Sequence, residues 1–147
     1  MATDAAVRTA LELTLASPTR ARIIDITTTG RRTGRPRRIE IFFYRVRGRY
    51  YLNSGLLRPP SWYANLLAHP DFTFHLKNGV RADLRAHARP VTDPDERRAV
   101  FTEVVADLNQ PSNPGTISQP THLADWLRVS RLVEITFPDL PLPISEL

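Results

Sequence analysis

The sequence predicts a mainly β protein with helices (α+β), built as a small barrel of antiparallel strands. Residues 71–77 and 80–88 each alternate between apolar and polar side chains, as strands with one buried face do. Two further apolar runs, 38–46 and 49–54, are separated by Arg47-Gly48, a pair that is typical of a short hairpin turn. Closing several short antiparallel strands into a barrel leaves no bare sheet edge.

The other elements follow in chain order. Residues 4–16 carry apolar positions among alanines and predict a helix that covers one end of the barrel. Residues 22–29 predict the first strand. Pro59-Pro60 indicates a loop, after which Ser61 is expected to cap a short helix, Trp62–Ala68.

The second half begins with a strong helix start. Asp93 is a cap residue, Pro94 takes the first helical position and Glu96 follows three residues after the cap, so we expect a helix to about Leu108. Residues 109–120 predict a loop or lid. A short helix at 123–129, a last strand at 131–137 and an extended tail complete the chain.

The hairpin between 71–77 and 80–88 has two candidate registers. A two-residue Asn78-Gly79 turn would place Phe74 opposite Asp83 and mix the faces of the sheet. A three-residue loop, with Gly79 left-handed, pairs Phe74 with Ala82 and keeps the apolar side chains on one face. The second register is therefore the prediction, and it leaves His75 and His87 on a solvated face.

Composition limits the function classes. The 147 residues predict a single domain, 1–147, and the absence of cysteine excludes disulfides, thiolate catalysis and Cys-zinc sites. The four histidines show no metal-ligand spacing. No apolar run approaches the ~18 residues of a membrane span, and no secretion signal is evident, so we expect a cytoplasmic protein.

The stretch from Thr27 to Arg38, TTTGRRTGRPRR, lies between two predicted strands. It holds five of the basic residues that give the net charge of +5. Gly30 and Gly34 can take positive φ, which would let successive amides converge on an anion. Arginine binds phosphate oxygens in pairs. The stretch therefore predicts a phosphate-binding turn, and a solvated basic hairpin is the alternative.

Three segments at this spacing resemble the deazaflavin-dependent nitroreductase family: TTTGRRTGRPR, RYYLNSG and PPSWYANLLAHP. The resemblance covers roughly residues 22–105. It implies a split β-barrel, FMN-binding-like fold, the cofactor F420 (with FMN as the alternative) and a small-molecule substrate. It also implies cofactor-binding roles for Arg31, Arg32, Thr33, Gly34, Arg37, Ile39, Glu40, Ile41, Ser54, Gly55, Arg58, Trp62, Tyr63 and Asn65.

The implied activity is hydride transfer between reduced F420 and a small acceptor: an activated alkene, a quinone or a nitro compound. The sequence departs from the family pattern at Glu40, where many members have proline, and at the short loop that contains Arg58. Candidate proton donors are Tyr44, Tyr63 and His122. Family barrels often pair, so a homodimer is the expectation to test.

Two other function classes remain open at this stage. One is an FMN- or haem-binding barrel relative, because a fold alone does not fix the cofactor. The other is a non-catalytic barrel that grips single-stranded nucleic acid with the arginines and with Tyr50, Tyr51 and Trp62. The localised charge favours a small anionic ligand over nucleic acid.

Overall fold

The computed structural model describes residues 3–14, 17–56, 60–110 and 119–140. Six antiparallel strands form a closed barrel in the order β1-β2-β3-β6-β5-β4, with β1 and β4 pairing to close it. The strands and helices are β1 (Ile23–Thr29), β2 (Pro36–Val46), β3 (Arg49–Asn53), β4 (Asp71–Leu76), β5 (Ala82–Pro90), β6 (Leu132–Thr136), α1 (Asp4–Leu11), α2 (Ser61–Ala68), α3 (Pro94–Leu108) and α4 (Leu123–Val129). The predicted α+β barrel is confirmed.

The barrel interior holds one apolar core. Alternate side chains of every strand point inward, among them Ile26, Phe43 and Phe74, which are fully buried. Phe43 and Phe74 meet edge to face, with 5.2 Å between ring centroids. α1 and α2 add residues to the same core, so both helices pack against it.

A second core forms on the outside of the barrel, where α3 and α4 pack on β2, β3 and β6. Phe101 of α3 lies against Trp126 of α4, and Trp126 Nε1 donates to Thr121 Oγ1 at 2.8 Å. α3 begins as expected: Asp93 Oδ2 accepts the Glu96 amide at 2.9 Å, and Pro94 is the first helical residue. The sequence therefore identifies this helix correctly at both ends.

Two helix predictions need correction. α1 ends at Leu11 instead of 16, because Leu13 turns into the interior core and Ser17 Oγ accepts the Thr14 amide; residues 15–16 lie outside the described ranges. α2 includes Ser61, and its N-cap is Pro60, so Ser61 does not cap it. The predicted lid and tail lie largely outside the described ranges, at 111–118 and 141–147.

The β4–β5 hairpin has neither of the two registers considered. Phe74 pairs with Leu84 and Leu76 with Ala82, so the connecting loop is residues 77–81. The apolar face is kept, because a shift of two residues preserves alternation. The longer loop lets Asn78 Nδ2 donate to the carbonyls of Arg20 and Ile23, each at 3.3 Å. Gly79 has the expected positive φ, at 82°.

The prediction that His75 is solvated is also wrong. Its side chain is buried, with Nε2 2.7 Å from Thr27 Oγ1 and Nδ1 2.7 Å from Asp83 Oδ1. His87 is exposed as expected and contacts Asp71 at 2.8 Å. None of the helices in the described ranges is both long and apolar enough to cross a membrane.

One buried ion pair joins α3 to the start of β1. Arg22 Nη2 lies 3.1 Å from Asp107 Oδ1, and both side chains are buried. Arg22 also donates to the carbonyls of Ser17 and Thr14, both at 3.1 Å. Removing one partner of such a pair leaves the other charge buried without compensation.

We expect Asp107→Ala to lower the free energy of unfolding by about 3–5 kcal/mol, because Arg22 would keep a buried charge without its partner. Urea denaturation followed by circular dichroism measures this. Asp125→Ala is the matched control: it removes an exposed pair with Arg128 and should cost less than about 1 kcal/mol. Equal losses in the two variants would contradict the buried-pair account.

Candidate active site

A cleft with a volume of about 570 Å³ lies between the β1–β2 turn and α2. Eight of the predicted site residues line it: Arg31, Arg32, Thr33, Arg37, Ile39, Glu40, Trp62 and Asn65. Four further lining residues were not in the predicted set: Thr28, Gly30, Pro60 and Ser61. Thr28 could have been found from strand parity, because it shares the inward face of β1 with Ile24 and Ile26.

The β1–β2 turn is a hairpin loop closed by backbone bonds. Gly30 N–H donates to the Arg35 carbonyl and Gly34 N–H to the Gly30 carbonyl, both at 2.8 Å. Arg35 N–H donates to Thr33 Oγ1 at 3.2 Å. Within the described ranges, the amides of Arg32 and Thr33 have no hydrogen-bond partner. Two amides of the turn are therefore unpaired in the part of the chain that the structure describes.

The two glycines of the turn serve different purposes. Gly34 has φ of +69°, a conformation that side chains disfavour, as predicted. Gly30 does not have positive φ. A Cβ at position 30 would lie 2.8 Å from Thr33 Oγ1 and 3.2 Å from the Arg35 carbonyl oxygen, so close approach across the turn requires glycine there.

Asn65 fixes the turn against α2. This buried side chain accepts the Arg31 amide at Oδ1 (3.0 Å), and its Nδ2 donates to Thr28 Oγ1 (3.1 Å). Both ends of the amide are therefore used within the protein. Asn65 holds the wall of the cleft in place and lies at its surface.

The charged and apolar parts of the cleft are adjacent. The arginines of the turn are exposed, and among the described residues Arg31, Arg32, Arg35 and Arg37 have no acidic partner, whereas Arg38 Nε contacts Asp25 Oδ2 at 2.9 Å. Ile39, Pro60 and Trp62 supply apolar surface to the same cleft. This arrangement suits a ligand with an anionic end and a flat apolar end.

Trp62 belongs to the core as well as to the cleft. Only 7% of its surface is exposed, and it packs with the interior cluster. Tyr63 is half-buried beside it, with 6.1 Å between the ring centroids. Truncating Trp62 would therefore lower the free energy of unfolding as well as remove cleft surface, because a buried tryptophan contributes several kcal/mol to stability.

Five predicted site residues do not line this cleft as the structure describes it. Ile41 packs against the barrel core, and so does Tyr63, which follows Trp62 on α2. Ser54 Oγ accepts the Arg131 amide at 2.8 Å, which joins the ends of β3 and β6, and Gly55 follows with φ of +65°. Gly34 is in the turn but not at the cleft surface. Arg58 lies outside the described ranges.

None of the three candidate proton donors lines the cleft. Tyr44 faces a separate cavity of about 200 Å³ beside Arg22 and Asp107, and burial raises the pKa of its hydroxyl to about 12. His122 precedes α4. Within the described ranges, no group of three or more His, Asp or Glu side chains is arranged to hold a metal ion.

A family model described as F420H(2)-dependent quinone reductase matches residues 6–113. Similar solved structures include a putative 5-nitroimidazole antibiotic resistance protein from Bacteroides thetaiotaomicron (TM-score 0.63, 12% identity, covering 94% of this chain and 81% of that one). A conserved hypothetical protein, Rv2991, from Mycobacterium tuberculosis has a TM-score of 0.60 at 17% identity over 94% of this chain and 82% of that one. An F420-H2 dependent reductase (FDR-A) has a TM-score of 0.55 at 20% identity, covering 78% of this chain and 94% of that one.

At these identities the solved structures show the fold, and they confirm the split-barrel class. The family model confirms the resemblance stated from the turn and α2 motifs. Because it matches well over half of the residues, the chain belongs to the F420H(2)-dependent quinone reductase family: it is an oxidoreductase that uses coenzyme F420.

Proposed function

We propose that this enzyme reduces a quinone-type acceptor with F420, and that the cleft between the β1–β2 turn and α2 holds the cofactor. The observation that carries the proposal is a cleft in which Arg31, Arg32 and Arg37, which have no acidic partner among the described residues, meet an apolar wall at Ile39 and Trp62. The quinone as acceptor is supported by the family description. Activated alkenes and nitro compounds are the competing acceptors.

The donor set fits the chemistry of this cofactor. F420 has a flat deazaflavin head and a long anionic tail with a phosphate. Guanidinium groups bind phosphate and carboxylate oxygens through two parallel hydrogen bonds. The free amides of Arg32 and Thr33 supply fixed donors at the same turn. We assign the tail to these groups and the head to the wall of Ile39 and Trp62.

The protein's work in this reaction is orientation and exclusion of water. When bound, reduced F420 supplies the hydride. Asn65 keeps the amide of Arg31 in place, which fixes the turn. Trp62 lines the cleft and also packs in the core, which fixes the α2 side. Both sides of the cleft are therefore in position before a ligand enters. A rigid, partly apolar wall also keeps solvent away from one face of a bound ring.

The proton that accompanies the hydride needs a donor. A quinone that gains one hydride and one proton becomes a hydroquinone. Among the described lining residues, the neutral O–H donors are Thr28, Thr33 and Ser61. Thr28 Oγ1 and Thr33 Oγ1 each accept an N–H, so each keeps its own proton available to donate. We propose a hydroxyl of this set, or water, as the donor.

The remaining expectations concern the partners, the location and the oligomeric state of the protein. A small-molecule substrate, no nucleic-acid partner, a cytoplasmic location and a homodimer stay predictions from the sequence. Light scattering of the purified protein measures the oligomeric state, and cell fractionation measures the location.

The acceptor is tested by a steady-state assay of F420H2 oxidation with three probes: a soluble naphthoquinone, a cyclic enone and a nitroaromatic compound. We expect kcat/KM for the naphthoquinone to exceed that for the other two by at least about tenfold, which corresponds to about 1.4 kcal/mol of differential transition-state binding. A preference for the enone or the nitro compound would overturn the quinone assignment and leave F420 binding intact.

The phosphate-binding role is tested by the double change Arg31→Ala plus Arg37→Ala. We expect it to weaken F420 binding by about 2–5 kcal/mol, because each arginine is assigned one or more charge-assisted hydrogen bonds. Fluorescence titration of the cofactor measures the affinity.

The matched control for charge is Arg81→Ala plus Arg98→Ala, which removes two exposed arginines outside the cleft. It should change the affinity by less than about 1 kcal/mol, since screened charges at a distance contribute little. FMN titrated in parallel should bind more weakly than F420. Unchanged affinity in the Arg31 and Arg37 variant would refute this role of the turn.

Two substitutions of Asn65 distinguish its support of the fold from an effect on anion binding. Asn65→Ala leaves the Arg31 amide and the Thr28 hydroxyl without their partner, so we expect a loss of about 1–3 kcal/mol in unfolding free energy as well as weaker F420 binding. Asn65→Asp keeps the acceptor for the Arg31 amide and offers its second oxygen to the Thr28 hydroxyl, which can rotate to donate, but it adds a negative charge beside the cleft. It should therefore retain more stability than the alanine variant and still bind F420 poorly. Normal F420 affinity in the aspartate variant would contradict an anionic ligand here.

A further inference from the structure

Two carboxylates lie side by side on neighbouring strands of the barrel. Asp25 of β1 and Glu40 of β2 are directly paired in the antiparallel ladder. Like charges in this position destabilise a sheet. Lys77, which follows β4, bridges them: its Nζ lies 2.7 Å from Asp25 Oδ1 and contacts Glu40 Oε2. Lys77 is also the only lysine in the chain.

The two carboxylates differ in their surroundings. Asp25 is 16% exposed at its side chain, has Arg38 as a second cationic partner at 2.9 Å and does not line the cleft. Burial raises the pKa of Asp25, but hydrogen bonds from Lys77 and Arg38 outweigh this effect and hold it below its usual value. Asp25 is therefore compensated twice.

Glu40 depends on Lys77 alone. Its side chain is 62% exposed, and Lys77 is its one charged partner among the described residues. Glu40 is also the only acidic side chain among the described residues that line the cleft. An uncompensated carboxylate there would repel the anionic ligand that the neighbouring arginines attract.

We propose that Lys77 is a positioning residue of the cleft: acting through Glu40, it neutralises and restrains the carboxylate at the cleft wall, and so sets the affinity for an anionic cofactor. The inference rests on the proposed function, because it assumes that the cofactor's anionic tail occupies this cleft. Hydrogen bonds to Asp25 and then Glu40 raise the pKa of Lys77 above its ordinary value, so the ammonium group stays charged at neutral pH.

The competing explanation is that Lys77 only relieves repulsion between strands. Two double variants separate the explanations: Lys77→Met with Glu40→Gln, and Lys77→Met with Asp25→Asn. Each removes one of the two facing carboxylates together with the lysine, so each relieves the cross-strand repulsion. Only the first removes the carboxylate that lines the cleft.

The experiment is a fluorescence titration of F420 at low salt, with the unfolding midpoint of every variant measured beside it. We expect Lys77→Met to raise Kd about threefold to tenfold, because at low salt an exposed but uncompensated charge still repels an anionic ligand nearby. Adding Glu40→Gln should return Kd to within about twofold of the unmodified protein, whereas adding Asp25→Asn should leave it raised. The difference between the two double variants should shrink at high salt.

The two double variants keep the inference testable even if Lys77→Met alone fails to fold. Equal F420 affinity in both would overturn it and assign Lys77 to stability. Unchanged affinity in the single Lys77→Met variant would also overturn it. Failure of the proposed function is distinct: in that case the Arg31 and Arg37 variant would also bind F420 normally, whereas a failure of this inference alone leaves that variant weakened.

Discussion

Asn65 connects the two elements on which the cleft depends. Its amide spans the gap between α2 and the turn, accepting from the Arg31 amide and donating to Thr28. Without that link the arginines would sit on a hairpin held to the barrel only by its own strands. Because the amide is buried and both ends are used, the relative position of helix and turn is set by directional bonds rather than by packing alone.

The layout of the barrel explains why the site can be both polar and rigid. Inward side chains of all six strands form an apolar interior, and α2 adds Trp62 and Leu66 to it. The charged groups of the cleft are exposed and lie outside the packed core, where their desolvation would be costly. Its buried polar side chains, Thr28 and Asn65, are hydrogen-bonded to each other. Away from the cleft, Arg22 and Asp107 are buried as a pair, and carbonyl groups complete the bonds of the arginine.

Much of this molecule follows from local patterns. The sequence predicts the strands, the Asp93 cap and the turn at Gly34, because alternation and capping chemistry act over a few residues. The β4–β5 register was not, since alternation fixes which side chains face the core but cannot distinguish shifts of two residues. His75 was misjudged for a related reason: its partners Thr27 and Asp83 belong to neighbouring strands, and strand periodicity carries no information about them.

The cleft could be predicted only in part, because contacts between segments far apart in the sequence leave no local pattern. Arg31, Arg37 and Trp62 were found because they stand in recognisable motifs, and they do meet in space. The structural role of Asn65 was hidden, because only the approach of α2 to the turn shows that its amide is consumed internally. The contact between Lys77 and Glu40 could not be predicted from the sequence, since it joins residues on different hairpins.

All described residues that line the cleft fall between positions 28 and 65, whereas α3 and α4 build their core against another side of the barrel. The wall of the cleft is therefore one continuous stretch of sequence, and the helical layer is another. On the function proposed above, substitutions in residues 28–65 would act on the ligand directly, whereas substitutions in α3 and α4 would act first on the packing of the barrel. A chimera that exchanges residues 28–65 between relatives of this fold would be expected to carry its ligand preference with it.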